Sequence, residues 1–268
     1  MKPSNTASEP KVVTEVRGHV LTIGLNRPAK YNAFDLESYH LLAKAYGRLD
    51  TEPNLRCGLV YGKGDHLTAG LDLPEWTASF GAGTWPKLPE DERDPFGLIP
   101  EKRVSKPVVF AAQGICFTVA IELMLAADVR VAADNCRFGQ IEVKRGIYAC
   151  GGATVRMVQE FGWGNAQRYL LTGDEFNAQE ALRIGLVQEV VPLGQQFERA
   201  LTLADKISKQ APLGVYGSLK SSRISIEQSA LASINRMLPD LAPIMKSEDV
   251  QEGVKSFVER REANFKGR

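Results

Sequence analysis

Short apolar runs alternate with helix-patterned segments through most of this chain, and that order restricts its fold more than any other feature. VVTEV and VLTIGL flank a turn at Arg17-Gly18 and read as a hairpin, with Leu21, Ile23 and Leu25 on one face of the second strand. Asp35 then precedes Leu36, Tyr39, Leu42, Ala43, Tyr46 and Leu49, whose spacing predicts a capped amphipathic helix. CGLVYG, VVFAAQG, VRVAA and LVQEVVP read as further strands. TVAIELMLAA, GGATVRMVQEFG, NAQRYLLTG and NAQEALRIG read as short helices between them. From Phe197 onward every periodic segment is helical, marked first by Phe197, Leu201, Ala204 and Ile207 and last by Val250, Val254, Phe257 and Val258. Strands interleaved with helices, followed by a purely helical end, predict an α/β core with a helical C-terminal part.

Residues 74–103 break the pattern with Pro, Gly and the aromatics Trp76, Phe80 and Trp85, and are expected to be irregular, either a surface loop or a functional segment. The first ten residues, MKPSNTASEP, are polar and are expected to be disordered; they carry no apolar stretch of a secretion signal. With 268 residues, 44% of them hydrophobic, the chain has ample material for a large core. A formal net charge of +1 argues against nucleic acid or an anionic membrane surface as a partner. No apolar run approaches the ~20 residues that span a bilayer. Cys57, Cys116, Cys136 and Cys150 form no C-x-x-C pair, and His19, His40 and His66 no H-x-x-x-H pair, so neither a disulfide framework nor a metal site is expected. Reduced thiols and the missing leader point to the cytoplasm. Serine-hydrolase elbows, phosphate loops and dinucleotide fingerprints are absent from the sequence.

Within TVAIELMLAADV the acid Glu122 stands where a buried helix would carry a Leu. Two readings are open: Glu122 reaches water or an Arg, or it is held inside for chemistry, since an unpaired buried carboxylate costs several kcal/mol. Glu142, in FGQIEVKRG, also follows a strand and adjoins apolar residues, although Lys144 and Arg145 beside it suit an exposed turn. Two carboxylates sharing a dry pocket could not both ionise easily and would supply an acid and a base near neutral pH. Two turns attract attention for a related reason. Ala69-Gly70 in HLTAGLDL could aim a backbone N–H into a cavity, and the helix start near Thr118-Val119 leaves N–H groups unpaired. Converging, they would form an oxyanion hole; apart, they are glycine-assisted turns.

NRPAKYNAF, HLTAGLDL, the turn and helix carrying Glu122, FGQIEVKRG, NAQEALRIGLVQEVVP and the closing FVERREANFKGR occur in an order and register that resembles the crotonase (enoyl-CoA hydratase/isomerase) family, from about Val12 to the C-terminus. The resemblance implies a spiral of strand-strand-helix repeats over residues 11–195 and a helical trimerisation region over 196–268, assembling into homotrimers or hexamers built as dimers of trimers. It implies an acyl-CoA substrate, with coenzyme A part of the substrate and no further cofactor or metal. It assigns the oxyanion N–H groups to Leu71 and Val119, and the water-handling acids to Glu122 and Glu142. It places Lys30, Thr68, Ala69 and Asp72 along the coenzyme A groove, with Phe257 and Arg260 reaching it from the last helix of a neighbouring subunit. Two departures from the family pattern stand out: Thr118-Val119-Ala120 replaces a glycine-rich turn, and Ile141 replaces a proline before the second acid. Hydration of a 2-enoyl-CoA is the expected activity. Double-bond isomerisation, hydration with retro-aldol cleavage of an aromatic acyl-CoA, and acyl-CoA binding without turnover are the alternatives.

Overall fold

The protein is described here by a computed structural model covering residues 9–268. Most of the expected disordered segment 1–10 therefore lies outside the described residues; Glu9 and Pro10 are exposed and belong to no regular element. The strands are β1 (Val12–Arg17), β2 (Val20–Leu25), β3 (Cys57–Gly62), β4 (Val108–Ala112), β5 (Ile115–Phe117), β6 (Val129–Ala133), β7 (Arg137–Gly139), β8 (Glu175–Asn177) and β9 (Glu189–Val191). The helices are α1 (Leu36–Thr51), α2 (Leu73–Gly81), α3 (Val119–Ala126), α4 (Ala153–Phe161), α5 (Trp163–Thr172), α6 (Ala178–Ile184), α7 (Gln196–Ser208), α8 (Pro212–Glu227), α9 (Ala230–Ile244) and α10 (Glu248–Glu259).

β1 and β2 form the expected antiparallel hairpin, and β3, β4, β6 and β9 continue the sheet in parallel in the order β1-β2-β3-β4-β6-β9. Parallel neighbours require a crossover, which α1 supplies between β2 and β3. A second sheet, β5-β7-β8, stands apart and carries the approach to α3. Covering parallel strands on both faces removes the alternation expected of a half-exposed strand. Leu21, Ile23 and Leu25 do share one face, with α1 and α3, but Val20 on the other meets Ala200 and Ala204 of α7, so every residue of β2 is buried. Asp35 caps α1 by accepting the Ser38 N–H at 2.8 Å, and its other oxygen takes Lys11 at 2.6 Å.

Two expectations are corrected. Residues 74–103 are not wholly irregular: α2 starts at Leu73 with Pro74 in its first turn, where a missing N–H does no harm. Its Trp76 is fully buried (0% exposed) and donates its indole N–H to the Phe34 carbonyl at 2.9 Å, while Trp85 donates to the Tyr39 hydroxyl at 2.9 Å. With Phe96 these rings pack on α1 as core, each indole finding the partner that burial demands. The closing segment FVERREANFKGR is helical only to Glu259. Arg260 ends α10 in the left-handed conformation (φ 54°), and the tail folds back, the N–H groups of Lys266 and Gly267 bonding the Asp249 carboxylate at 2.6 and 2.8 Å.

The helical end differs from the core in what it leaves uncovered: Leu231, Leu238 and Phe257 are 65%, 75% and 85% exposed. Among the described residues no helix is long and apolar enough to cross a membrane, and no His, Cys, Asp and Glu cluster could hold a metal ion.

Candidate active site

Residues 68–72 are clamped between two neighbours. The Phe34 N–H bonds the Gly70 carbonyl at 2.9 Å and the Asp72 N–H bonds the Phe34 carbonyl at 2.8 Å, while Thr68 bridges to Cys116 on the other side. Gly70 adopts φ +114°, and a side chain there would put its Cβ 2.4 Å from the Thr118 Oγ1. A glycine is therefore required twice over, by conformation and by space. The contact also establishes that the two turns expected to carry oxyanion donors converge. Thr118 itself lies at φ 48°, ψ −103°, a strained conformation for a β-branched residue, and its N–H bonds the Gly139 carbonyl at 2.8 Å. The left-handed turn that glycine would make easily thus falls on Thr118, while Val119 is already the first residue of α3. Among the described residues the N–H groups of Leu71 and Val119 donate to no hydrogen bond.

Glu122 follows one turn into α3, which is buried from Val119 to Leu125. It is 4% exposed, so the reading in which it reaches water fails. Its Oε1 accepts the Ala153 N–H at 3.3 Å, and its Oε2 lies 2.4 Å from where a Cβ on Gly151 would stand. Burial, then the charge of Glu142, pushes its carboxyl up to about 7; the N–H groups of Ala153 and Gly151 and the charge of Arg156 work the other way. Glu142 begins a single 3-10 turn, Glu142–Arg145. Burial pushes it also up to about 7, against its own N–H and the Gln140 amide, which donates to Oε1 at 2.8 Å. Its Oε2 is buried and has no partner among the described residues. Glu142 is near enough for its charge to raise Glu122, and burial raises both carboxyls, an arrangement that can supply a base and an acid near neutral pH.

The coenzyme A positions are more mixed. Lys30 is exposed on the turn Pro28–Lys30, and Ala69 is partly open. Thr68, expected to line the groove, is fully buried instead, because its hydroxyl is needed inside: it donates to the Asn32 carbonyl at 2.7 Å and accepts the Gly70 N–H at 3.1 Å. Asp72 faces Arg27 at 3.1 Å. Phe257 and Arg260 sit exposed at the end of α10, outside the cluster just described. Sequence reasoning missed Gln140, the Gly151-Gly152-Ala153 strap and Cys150, whose thiol is pushed up to about 11 by burial and then by the two glutamates. The adjacent glycines ahead of a helix were the available signal for a close approach.

Residues 15–268 match the family model described as enoyl-CoA hydratase/isomerase. The enoyl-CoA hydratase EchA19 of Mycobacterium tuberculosis is 34% identical over 268 residues, covering 97% of this chain and 98% of that protein. The mevalonyl-coenzyme A hydratase sidH of Aspergillus fumigatus is 32% identical over 252 residues, 92% of each chain. A crystal structure of a probable enoyl-CoA hydratase/isomerase from Mycobacterium abscessus superposes with a TM-score of 0.92 at 42% identity, covering 96% of this chain and 99% of that one.

Proposed function

Because the chain belongs to the enoyl-CoA hydratase/isomerase family, we propose that it is a hydro-lyase adding water across the 2,3 double bond of a 2-enoyl-CoA thioester. The observation that carries this reading is the pair of buried Glu122 and half-buried Glu142, each carboxyl pushed up to about 7, beside converging turns whose N–H groups at Leu71 and Val119 donate to no hydrogen bond among the described residues.

The thioester oxygen accepts from the N–H groups of Leu71 and Val119, which stabilise the negative charge that develops as C3 is attacked; a donor of this kind typically contributes about 3 kcal/mol. Glu122, ionised, takes a proton from water as the water oxygen bonds to C3. Glu142, protonated, gives its proton to C2 and closes the enolate. One proton enters the acid pair and one leaves, and its transfer from Glu122 back to Glu142 restores the starting state. The pair's near-equal affinities suit that return. Glu142 suits the donor role because its buried Oε2 is unpartnered.

Coenzyme A is bound as part of the substrate, and the reaction needs no further cofactor. We place its nucleotide end near Lys30, Ala69 and Asp72, with Phe257 and Arg260 of a neighbouring subunit of a trimer or a hexamer. The open apolar surface of α9 and α10 supports such an assembly. The decisive experiment is incubation with crotonyl-CoA and longer enoyl-CoAs, followed by absorbance and product mass. Loss of the conjugated band with gain of one water is expected. A product of unchanged mass would turn the reading to isomerisation, and binding without turnover to a non-catalytic role.

A further inference from the structure

Behind Glu122 lies a charge that the hydration reading does not use. Gly151 and Gly152 face opposite partners: a Cβ on Gly151 would stand 2.4 Å from the Glu122 Oε2, and one on Gly152, at φ +110°, would stand 2.5 Å from the Arg156 Nη1. The strap 151–153 is thus pressed between a carboxylate and a guanidinium, with no room for a side chain at either glycine. Arg156 Nη2 donates to the Gly97 carbonyl at 3.0 Å, tying α4 to the loop whose Phe96 ring lies 3.0 Å from the same Gly151 position. Nη1 is buried and makes no hydrogen bond, and no ion pair joins Arg156 to a carboxylate among the described residues. The acid that could have paired with it, Asp94, instead accepts the N–H groups of Phe96, Leu98 and Ile99 at 3.0, 2.6 and 3.0 Å. Arg103, the cation beside it, is paired with Glu227 of α8.

A half-buried guanidinium with no ion-pair contact among the described residues, beside a second arginine, is costly: burial and then Arg103 oppose its charge, while Asp94, Glu122 and Glu227 favour it from a distance. The charged groups facing it are Arg103 and Asp94 from the 94–103 segment, Glu227 from α8, and Glu122 itself; those facing Glu122 are Glu142, Cys150 and Arg156. Asp128 and Arg223 pair with each other further out. Asp94 acts on Arg156 first, although its oxygens are occupied by backbone N–H groups; Glu122, across the glycine strap, is the next carboxylate that Arg156 acts on.

We propose that Arg156 is a positioning residue for Glu122: it holds the Gly151–Ala153 strap and the Phe96 loop against the carboxylate and supplies the positive charge that favours its ionised form. The assignment of Glu122 as the water-activating base belongs to the proposed hydration, but the test need not. The protonated-carboxyl infrared band of Glu122, identified by its disappearance in E122Q, is titrated in wild type, R156Q and R156K, alongside the pH profile of crotonyl-CoA hydration. In R156Q the Glu122 midpoint and the acid limb of kcat/KM both rise by about one unit, a tenfold activity loss below the limb that higher pH recovers. R156K, which keeps a charge, stays near wild type in midpoint while losing thermal stability with the Gly97 contact. Should R156Q not fold, R156M replaces it beside R156K: a midpoint raised in R156M and unmoved in R156K supports the proposal, and equal midpoints in the two overturn it. Equal midpoints in wild type and folded R156Q also overturn it. An inactive wild type whose Glu122 band still shifts in R156Q would refute hydration and leave the role of Arg156 standing.

Discussion

Glu122 and Glu142 sit in surroundings of opposite character. Glu122 rides on a helix buried from Val119 to Leu125 and is held by the backbone N–H of Ala153, with Gly151 of the strap close against its Oε2. Glu142 rides on one 3-10 turn whose next three residues are exposed, and is held by the side chain of Gln140 with its second oxygen unpartnered among the described residues. The contrast separates a fixed base, whose aim at C3 depends on placement, from an adjustable acid that must reach C2 and return. Backbone donors cannot rotate away; an amide side chain can.

The sharpest way to break this comparison is at the carboxylate on the rigid side. E122Q is expected to lower kcat by about 10³-fold, since a general base typically contributes 10²–10⁴; a loss under tenfold would move the base elsewhere. G151A tests the rigidity itself. Its Cβ would stand 2.4 Å from Oε2, so Glu122 must shift, and displacement on that scale lowers kcat by about 10²-fold with the fold intact by circular dichroism. The matching change on the adjustable side, Q140A, is expected to cost only about tenfold. It also has a direction in pH: the Gln140 N–H favours ionised Glu142, so its loss raises that carboxyl, and the alkaline limb of kcat moves up. If Q140A proves as damaging as G151A, the two sides are equally rigid and the distinction fails.

A further effect concerns stability rather than rate. The Glu122 carboxyl is raised from 4.5 to about 7 in the folded protein, so between those values the folded state holds more protons than the unfolded one. Stability then falls as pH rises through that window and levels off above it. E122Q removes the burden and should be more stable than wild type at pH 8 by about 3 kcal/mol, with little advantage at pH 4.5. Urea midpoints at the two pH values check this, and an equal difference at both would sink it.

How far the sequence alone reached follows from what each signal depends on. Asp35 was legible as a cap because capping is local, and β3, β4 and β6 because apolar runs of that length have few other fates. Glu122 was legible as an anomaly, an acid in an apolar helix. Glu142 was not, since Lys144 and Arg145 beside it carry the pattern of a surface turn, which they occupy, and only tertiary closure buries its Oε2. α2 went unread although Asp72-Leu73-Pro74 is a helix-start pattern, because the aromatics drew attention to the loop. Arg156 could not be found from sequence at all: its significance is that among the described residues no ion pair joins it and its Nη1 has no partner, which spacing does not record.

The closeness of Gly70 and Thr118 has a consequence for anyone building variants. Because the missing side chain at 70 is the space that the hydroxyl at 118 fills, the two positions carry one choice rather than two. A combinatorial library that varies them independently would sample mostly dead combinations. One that keeps glycine at 70 for its φ of +114° would concentrate its diversity at 118, the residue just before the proposed donor Val119.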